Sequence, residues 1–329
     1  MVIEQFLQRA VEREVSDLHI VEGRRPLGRI HGTLTDLYTD RISEEQFSAL
    51  LYALLSEAQR ERYGQGFDVD AGYASIGGRW RVHVYTQRGG RALALRRIPC
   101  QPPALDTLGL PTSVISWTSL SSGLVLITGP TGSGKSTTAA SLLDLVNGRD
   151  AKHIITIENP IEFVHPSRRC LISQREVGAH VDSFGSALRS ALREDPDIIF
   201  VGEMRDLETI RLALQAAETG HLVISTLHTS SAVKTVARIV DVFPAEQQPH
   251  IRTILADTLE GIVAQDLVRN LQGGRSLVSE VLLATPAVRS LIREGRTHHL
   301  EHVLQTSTSL GMRSREGSMR LLRERGVIA

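Results

Sequence analysis

The sequence is short of several things, and each shortage removes a class of protein. Among 329 residues there are two cysteines, Cys100 and Cys170. They stand far apart with no CxxC pair, so a disulfide framework or thiolate zinc centre has no support, and a reducing cytosol is the natural compartment. Aromatics are scarce, at 4%, and no basic segment carries interleaved aromatics of the kind that stacks single-stranded nucleic acid. Charge of one sign is missing too. The 37 basic and 37 acidic residues cancel, which argues against a surface-wide nucleic-acid footprint while leaving room for a local basic patch. No apolar run approaches the roughly 20 residues that cross a bilayer, so any membrane connection is expected through a partner or the surface. Internal repeats and low-complexity tails are also lacking.

What is present is ordinary globular composition, 41% hydrophobic and 22% charged, over a length that exceeds one usual domain. The N-terminus places Val2, Ile3, Phe6, Leu7, Ala10 and Val11 at helical spacing with charges between them. This pattern is a folded amphipathic helix rather than a signal or transit peptide. Short apolar runs broken by Gly and Pro follow over residues 17–39, and then a helix from Ser43, with Gln46 completing a capping box and Gly64 closing it. Residues 66–98 alternate apolar and polar as a meander of half-buried antiparallel strands. Residues 1–100 are therefore expected to form a small α+β domain. Pro99, Pro102, Pro103 and Pro111 mark residues 101–112 as a linker.

Residues 113–329 change texture. GLVLIT, HIITIE, DIIFVGE and HLVISTLH read as buried parallel strands, separated by helical stretches such as KSTTAASLLDLVN, SFGSALRSALRE and DLETIRLALQAAETG. Asp206 is an expected N-cap and Gly220 a stop. The fold class is α/β, a doubly wound sheet. Beyond it, a long amphipathic segment from Gln247 to Val268, one strand over 277–282, and a helix with Pro286 in its first position complete a mostly helical C-terminal region.

The chemistry starts at GPTGSGKSTT, which follows GLVLIT directly. A GxxxxGK[ST] pattern between strand and helix wraps phosphates in backbone N–H groups and faces them with a helix N-terminus. Gly129, Pro130, Thr131, Gly132, Ser133, Gly134, Lys135, Ser136 and Thr137 are the expected nucleotide-binding set, with Lys135 on the β and γ phosphates and Ser136 ligating Mg²⁺. Ile198 to Val201 then lead to Gly202-Glu203, a Walker B-like strand end. Gly202 occupies the usual Asp position, so Glu203 is left to hold the metal or its water. TIENPIEF supplies Glu158 and Glu162. Glu162 is the choice for polarising the attacking water, whereas Glu158 fits a structural role equally well. His221 and His228 flank HLVISTLH and, at this spacing, do not share a metal. His228 reads either as a γ-phosphate sensor or as a half-buried, hydrogen-bonded histidine. Arg79, Arg81, Arg96 and Arg97 form either a solvated strand face or arginine fingers for a neighbouring subunit's nucleotide.

Together, GPTGSGKSTT, TIENPIEFVH, LRSALREDPDIIFVGEMRDLETIRLALQAAETGHLVISTLHT and AVRSLIREG resemble the secretion ATPases of type IV pilus and type II secretion systems. The likeness is greatest to the PilT-type retraction ATPases and spans the chain. The resemblance implies a PAS-like N-terminal domain, a RecA-like ATPase domain and a homohexamer that hydrolyses ATP with Mg²⁺. It implies Glu162 as catalytic glutamate, Glu203 as Walker B acid, His221 and His228 as His-box residues, and Arg81 and Arg96 acting in trans. It further implies a cytoplasmic motor on an inner-membrane pilus platform protein, driving pilus retraction and twitching motility. Assembly and secretion enzymes of the family usually carry an added N-terminal region and a tetracysteine motif, neither of which this sequence shows. Residues 287–294, AVRSLIRE, are similar to the retraction signature, with Val288 and Ser290 in place of the commoner Ile and Asn, and Asn159 stands where the family commonly has Asp. The rival readings are a pilus assembly or secretion ATPase, a nucleic-acid translocase with the same core, and a non-hydrolysing scaffold.

Overall fold

The structure is a computed structural model and describes residues 3–30, 33–75, 78–98 and 101–329. Val2 of the first expected helix, and Pro99 and Cys100, lie outside the described residues. The chain divides into two compact units, Met1–Gln101 with Pro160–Val164, and Pro102–Asn159 with His165–Ala329.

The smaller unit holds β1 (Asp17–Val21), β2 (Leu27–Ile30), β3 (Thr33–Asp36), β4 (Val69–Ser75), β5 (Gly78–Gln87) and β6 (Gly90–Ile98). They pair antiparallel in the order β3-β2-β1-β6-β5-β4. Strand alternation sorts the side chains. Leu18, Ile20, Trp80, Val82, Val84, Leu93 and Leu95 enter a core with Phe6, Leu7 and Ala10 of the helix Ile3–Glu12 and Phe47 and Leu50 of the helix Glu44–Leu54. Arg81 and Arg96, direct cross-strand partners, go to the opposite face. The single helix expected from Ser43 to Gly64 is two, Glu44–Leu54 and Glu57–Gly64. A second capping box, Ser56 with Gln59, starts the latter after Leu55 turns extended, so the same chemistry that begins the first helix interrupts it.

The larger unit holds β7 (Gly123–Thr128), β8 (His153–Glu158), β9 (Leu171–Glu176), β10 (Ile198–Val201), β11 (Leu222–Leu227), β12 (Leu259–Arg269) and β13 (Arg275–Leu283), in the order β13-β12-β7-β11-β10-β8-β9. All neighbours are parallel except β12 with β13. Both faces are covered, as a parallel sheet requires. Val125, Ile127, Ile198 and Ile224 pack on the helix Lys135–Arg149, while Leu124, Leu126, Ile199 and Val223 pack under the helices Leu207–Glu218, Ala232–Asp241 and Gln248–Thr258. Asp206 caps as expected, accepting from Thr209 N at 2.8 Å.

Three expectations change here. The Pro-rich span is packed from Leu105 on: Leu105 and Leu110 are buried against the Lys135–Arg149 side of the sheet, and Ser141 donates to Pro103 O at 2.7 Å. The amphipathic segment from Gln247 to Val268 is a helix only to Thr258. From Leu259 it becomes β12, because a gap beside β7 and the partner strand β13 satisfy its backbone while Ile262 and Val263 enter opposite cores. Finally, LISQRE forms the edge strand β9, whose polar centre hid it from a search for apolar runs.

Candidate active site

Strand order brings the carboxyl ends of β7, β11, β10 and β8 side by side, the edge where ligands of open α/β sheets bind. The loop Gly129–Gly134 leaves β7 there. Gly129 sits at φ 142°, and a Cβ on it would come within 2.2 Å of Gln265 O and 2.6 Å of Ser133 Oγ, so only glycine fits. Gly132 and Gly134 are left-handed, at φ 79° and 87°. The loop thus feeds the helix Lys135–Arg149, which starts after Gly134 with no side-chain cap and turns the N–H groups of its first turn toward the loop. Lys135, nearly buried, donates to the carbonyls of Gly129 (2.8 Å) and Pro130 (2.9 Å). Gln265, on β12, clasps the first turn of that helix: its Nε2 donates to Thr138 Oγ1 at 2.7 Å. Ser133 Oγ and Gln265 Oε1 are buried polar atoms without a protein partner, an arrangement that suits a polar ligand in the loop.

Beyond β10, Gly202 turns the chain and Glu203 presents its carboxylate. Thr226 donates to Gly202 O at 2.5 Å and Met204 N to Thr226 O at 3.1 Å, pinning this turn across the end of β11. His228 Nε2 donates to Glu203 Oε1 at 3.0 Å, and Arg205 pairs with Oε2 at 2.7 Å. Burial pushes the Glu203 carboxyl up, but the Arg205 hydrogen bond and the charges of His228 and Arg205 outweigh it and hold the group below the ordinary carboxylate range. A half-buried acid is therefore kept ionised. Both roles open to His228 from its spacing are compatible with its place in the structure, bonded to the Walker B-like glutamate.

A Cβ on Gly202 would lie 3.1 Å from Ile157 O and 3.3 Å from Glu158 Cα, so any side chain here is tightly placed against the end of β8. Glu158 itself is buried and accepts from Thr156 (2.8 Å) and Gln174 (3.2 Å). Glu162 is exposed between buried Ile161 and Phe163, in the segment that clusters with the smaller unit. Arg96 is mostly exposed and bonded to Asp17 at 2.7 Å, while Arg81, 3.9 Å from Asp70, stands beside it.

His221 is a correction. It precedes β11 at its amino end, about 20 Å of strand from His228, and its Nδ1 donates to Ala216 O at 3.0 Å. It therefore cannot reach the loop of its own chain. Sequence reasoning also missed residues. Arg205 was legible as the charge following the Walker B glutamate, whereas Gln265 was hidden by reading its strand as helix.

A glycine loop between strand and helix, a lysine within it and an ionised carboxylate at a nearby strand end define a P-loop nucleoside triphosphatase. The chain belongs to the type II/IV secretion system protein family, whose profile matches residues 1–325, and is an ATP hydrolase. It is 44% identical over its whole length to the type IV pilus retraction ATPase PilT of Pseudomonas aeruginosa, covering 96% of that protein. It is also 44% identical to a twitching motility protein of Neisseria gonorrhoeae, over 92% of this chain and 82% of that one. A crystal structure of the pilus retraction motor PilT with bound ADP superposes with a TM-score of 0.93 and 43% identity, covering 100% of this chain and 95% of that chain.

Proposed function

We propose that this ATPase is the motor of type IV pilus retraction, a homohexamer that uses ATP to remove pilin from the fibre and so supports twitching motility. The observation that carries the reading is the full-length likeness to a named retraction ATPase, with the whole phosphate loop intact.

In this reading the N–H groups of Gly132 to Ser136 and the Lys135 ammonium bind the β and γ phosphates. Ser136 and the ionised Glu203 would hold Mg²⁺, a fit supported by the depressed Glu203 pKa and by the unpartnered Ser133 hydroxyl in the loop. When bound there, Mg²⁺ would supply positive charge against the phosphates. Glu162 accepts the proton of the attacking water, His228 reports the γ phosphate to Glu203, and Arg81 and Arg96 stabilise charge in the site of the adjoining subunit. Binding moves the ring only so far as ATP prefers one domain arrangement over another. The motor works at the cytoplasmic face of the inner membrane on a pilus platform protein. Among the described residues no helix is long and apolar enough to cross a membrane.

The test is a clean deletion. Cells that remain piliated but cannot twitch support retraction; cells without surface pili indicate assembly or secretion instead. DNA-stimulated ATPase activity would point to a translocase.

A further inference from the structure

The loop 159–164 carries Glu162, and both of its ends are tied to one side chain. At its start, Glu158 closes β8; at its end, His165 is buried. Gln174 lies on the edge strand β9, opposite Thr156 in parallel register. Its Nε2 donates to Glu158 Oε1 at 3.2 Å, and its Oε1 accepts from His165 N at 2.8 Å. The orientation of the amide is forced, because a carboxylate only accepts and a peptide N–H only donates. A carboxamide of this length satisfies both at once: glutamate presents two acceptors, lysine only donors, leucine neither, and asparagine stops one methylene short.

We infer that Gln174 is a positioning residue for ATP hydrolysis, its amide fixing the separation of the two ends of the loop and thereby the place of Glu162. The inference rests on the reading of Glu162 as the water-activating group. The lever is geometric. Displacing a catalytic group by about 1 Å can cost on the order of a hundredfold in rate, and a short loop with both ends fixed has little conformational freedom left to lose it. The register of β9 therefore matters for a reaction to which β9 contributes no reacting group.

Substitution with an isostere tests this in the full-length protein. Gln174→Glu sets a second carboxylate against Glu158, so the two share one proton over a raised pH range. Protonated, the new side chain again offers one donor and one acceptor. Nearby titratable groups among the described residues include Glu176, two residues on along β9, and His165, whose backbone N–H donates to Gln174 and whose ring feels Asp144 and Arg168. The expected result is a kcat for MgATP down about tenfold or more at pH 8, with ADP affinity within about twofold of wild type, and a ratio to wild type that rises as pH falls toward 6. Gln174→Leu should show the same loss without recovery, and faster amide hydrogen exchange over 159–165. An unchanged kcat in Gln174→Glu, or a defect that ignores pH, overturns the proposal even if Gln174→Leu does not fold. Glu162→Gln separates the two readings: full turnover in that variant removes the role of Glu162, while exchange over 159–165 still reports whether Gln174 holds the loop.

Discussion

The two sheets of this protein solve the same burial problem in opposite ways. The antiparallel sheet of the smaller unit is covered on one face and leaves Arg81 and Arg96 on the other, 47% and 73% exposed and steadied by carboxylates. In the parallel sheet of the larger unit both faces are covered, and chemistry is confined to one row of strand ends. A one-sided sheet can offer a charged face to another molecule; a two-sided sheet can hold a glycine loop and an ionised glutamate in fixed register. The functional reading uses both properties, with arginines reaching outward and a phosphate grip held rigid.

Removing the anchor of each sheet should have the largest effects. Trp80 is fully buried in the core of the smaller unit, so Trp80→Ala should cost about 3–5 kcal/mol, measurable by denaturant unfolding. Lys135→Ala in the larger unit should lower ATP turnover by about a hundredfold or more with little change in melting temperature. Unaltered turnover would break the assignment of the loop.

In both units the features legible in the sequence are the ones that local chemistry dictates. The phosphate loop, the Walker B-like end and the caps at Ser43 and Asp206 were readable because local chemistry dictates them. The edge strand β9 and the strand β12 were not, since what makes them strands is a neighbour distant in sequence, β8 for one and β7 with β13 for the other. Gln174 and Gln265 were lost with them. The break at Ser56 was present as a capping box but masked by the helical pattern continuing through it.

Smaller effects sharpen the contrast. Gly202→Ala should cost about 1–3 kcal/mol through overpacking against Ile157 O and Glu158, and turnover should fall with it. Acid tests Glu203. Its folded pKa is depressed, so its contribution to stability is complete above the ordinary carboxylate pKa and disappears as pH falls through the depressed value. Glu203→Gln should therefore lose less stability than wild type between neutral and acid pH, as followed by thermal melts across pH. Least of all, Arg96→Ala should change stability by under about 1 kcal/mol, since its pair with Asp17 is largely exposed on the arginine side.

If Arg81 and Arg96 act on the nucleotide of an adjoining subunit, mixing two inactive variants restores activity. Lys135→Ala keeps the outward arginines, and the double variant Arg81→Ala with Arg96→Ala keeps the phosphate loop. Co-assembled, the two should regain a fraction of wild-type ATP turnover, because some interfaces then pair an intact loop with an intact arginine face. Mixed rings as inactive as either parent would exclude action of these arginines across a subunit boundary.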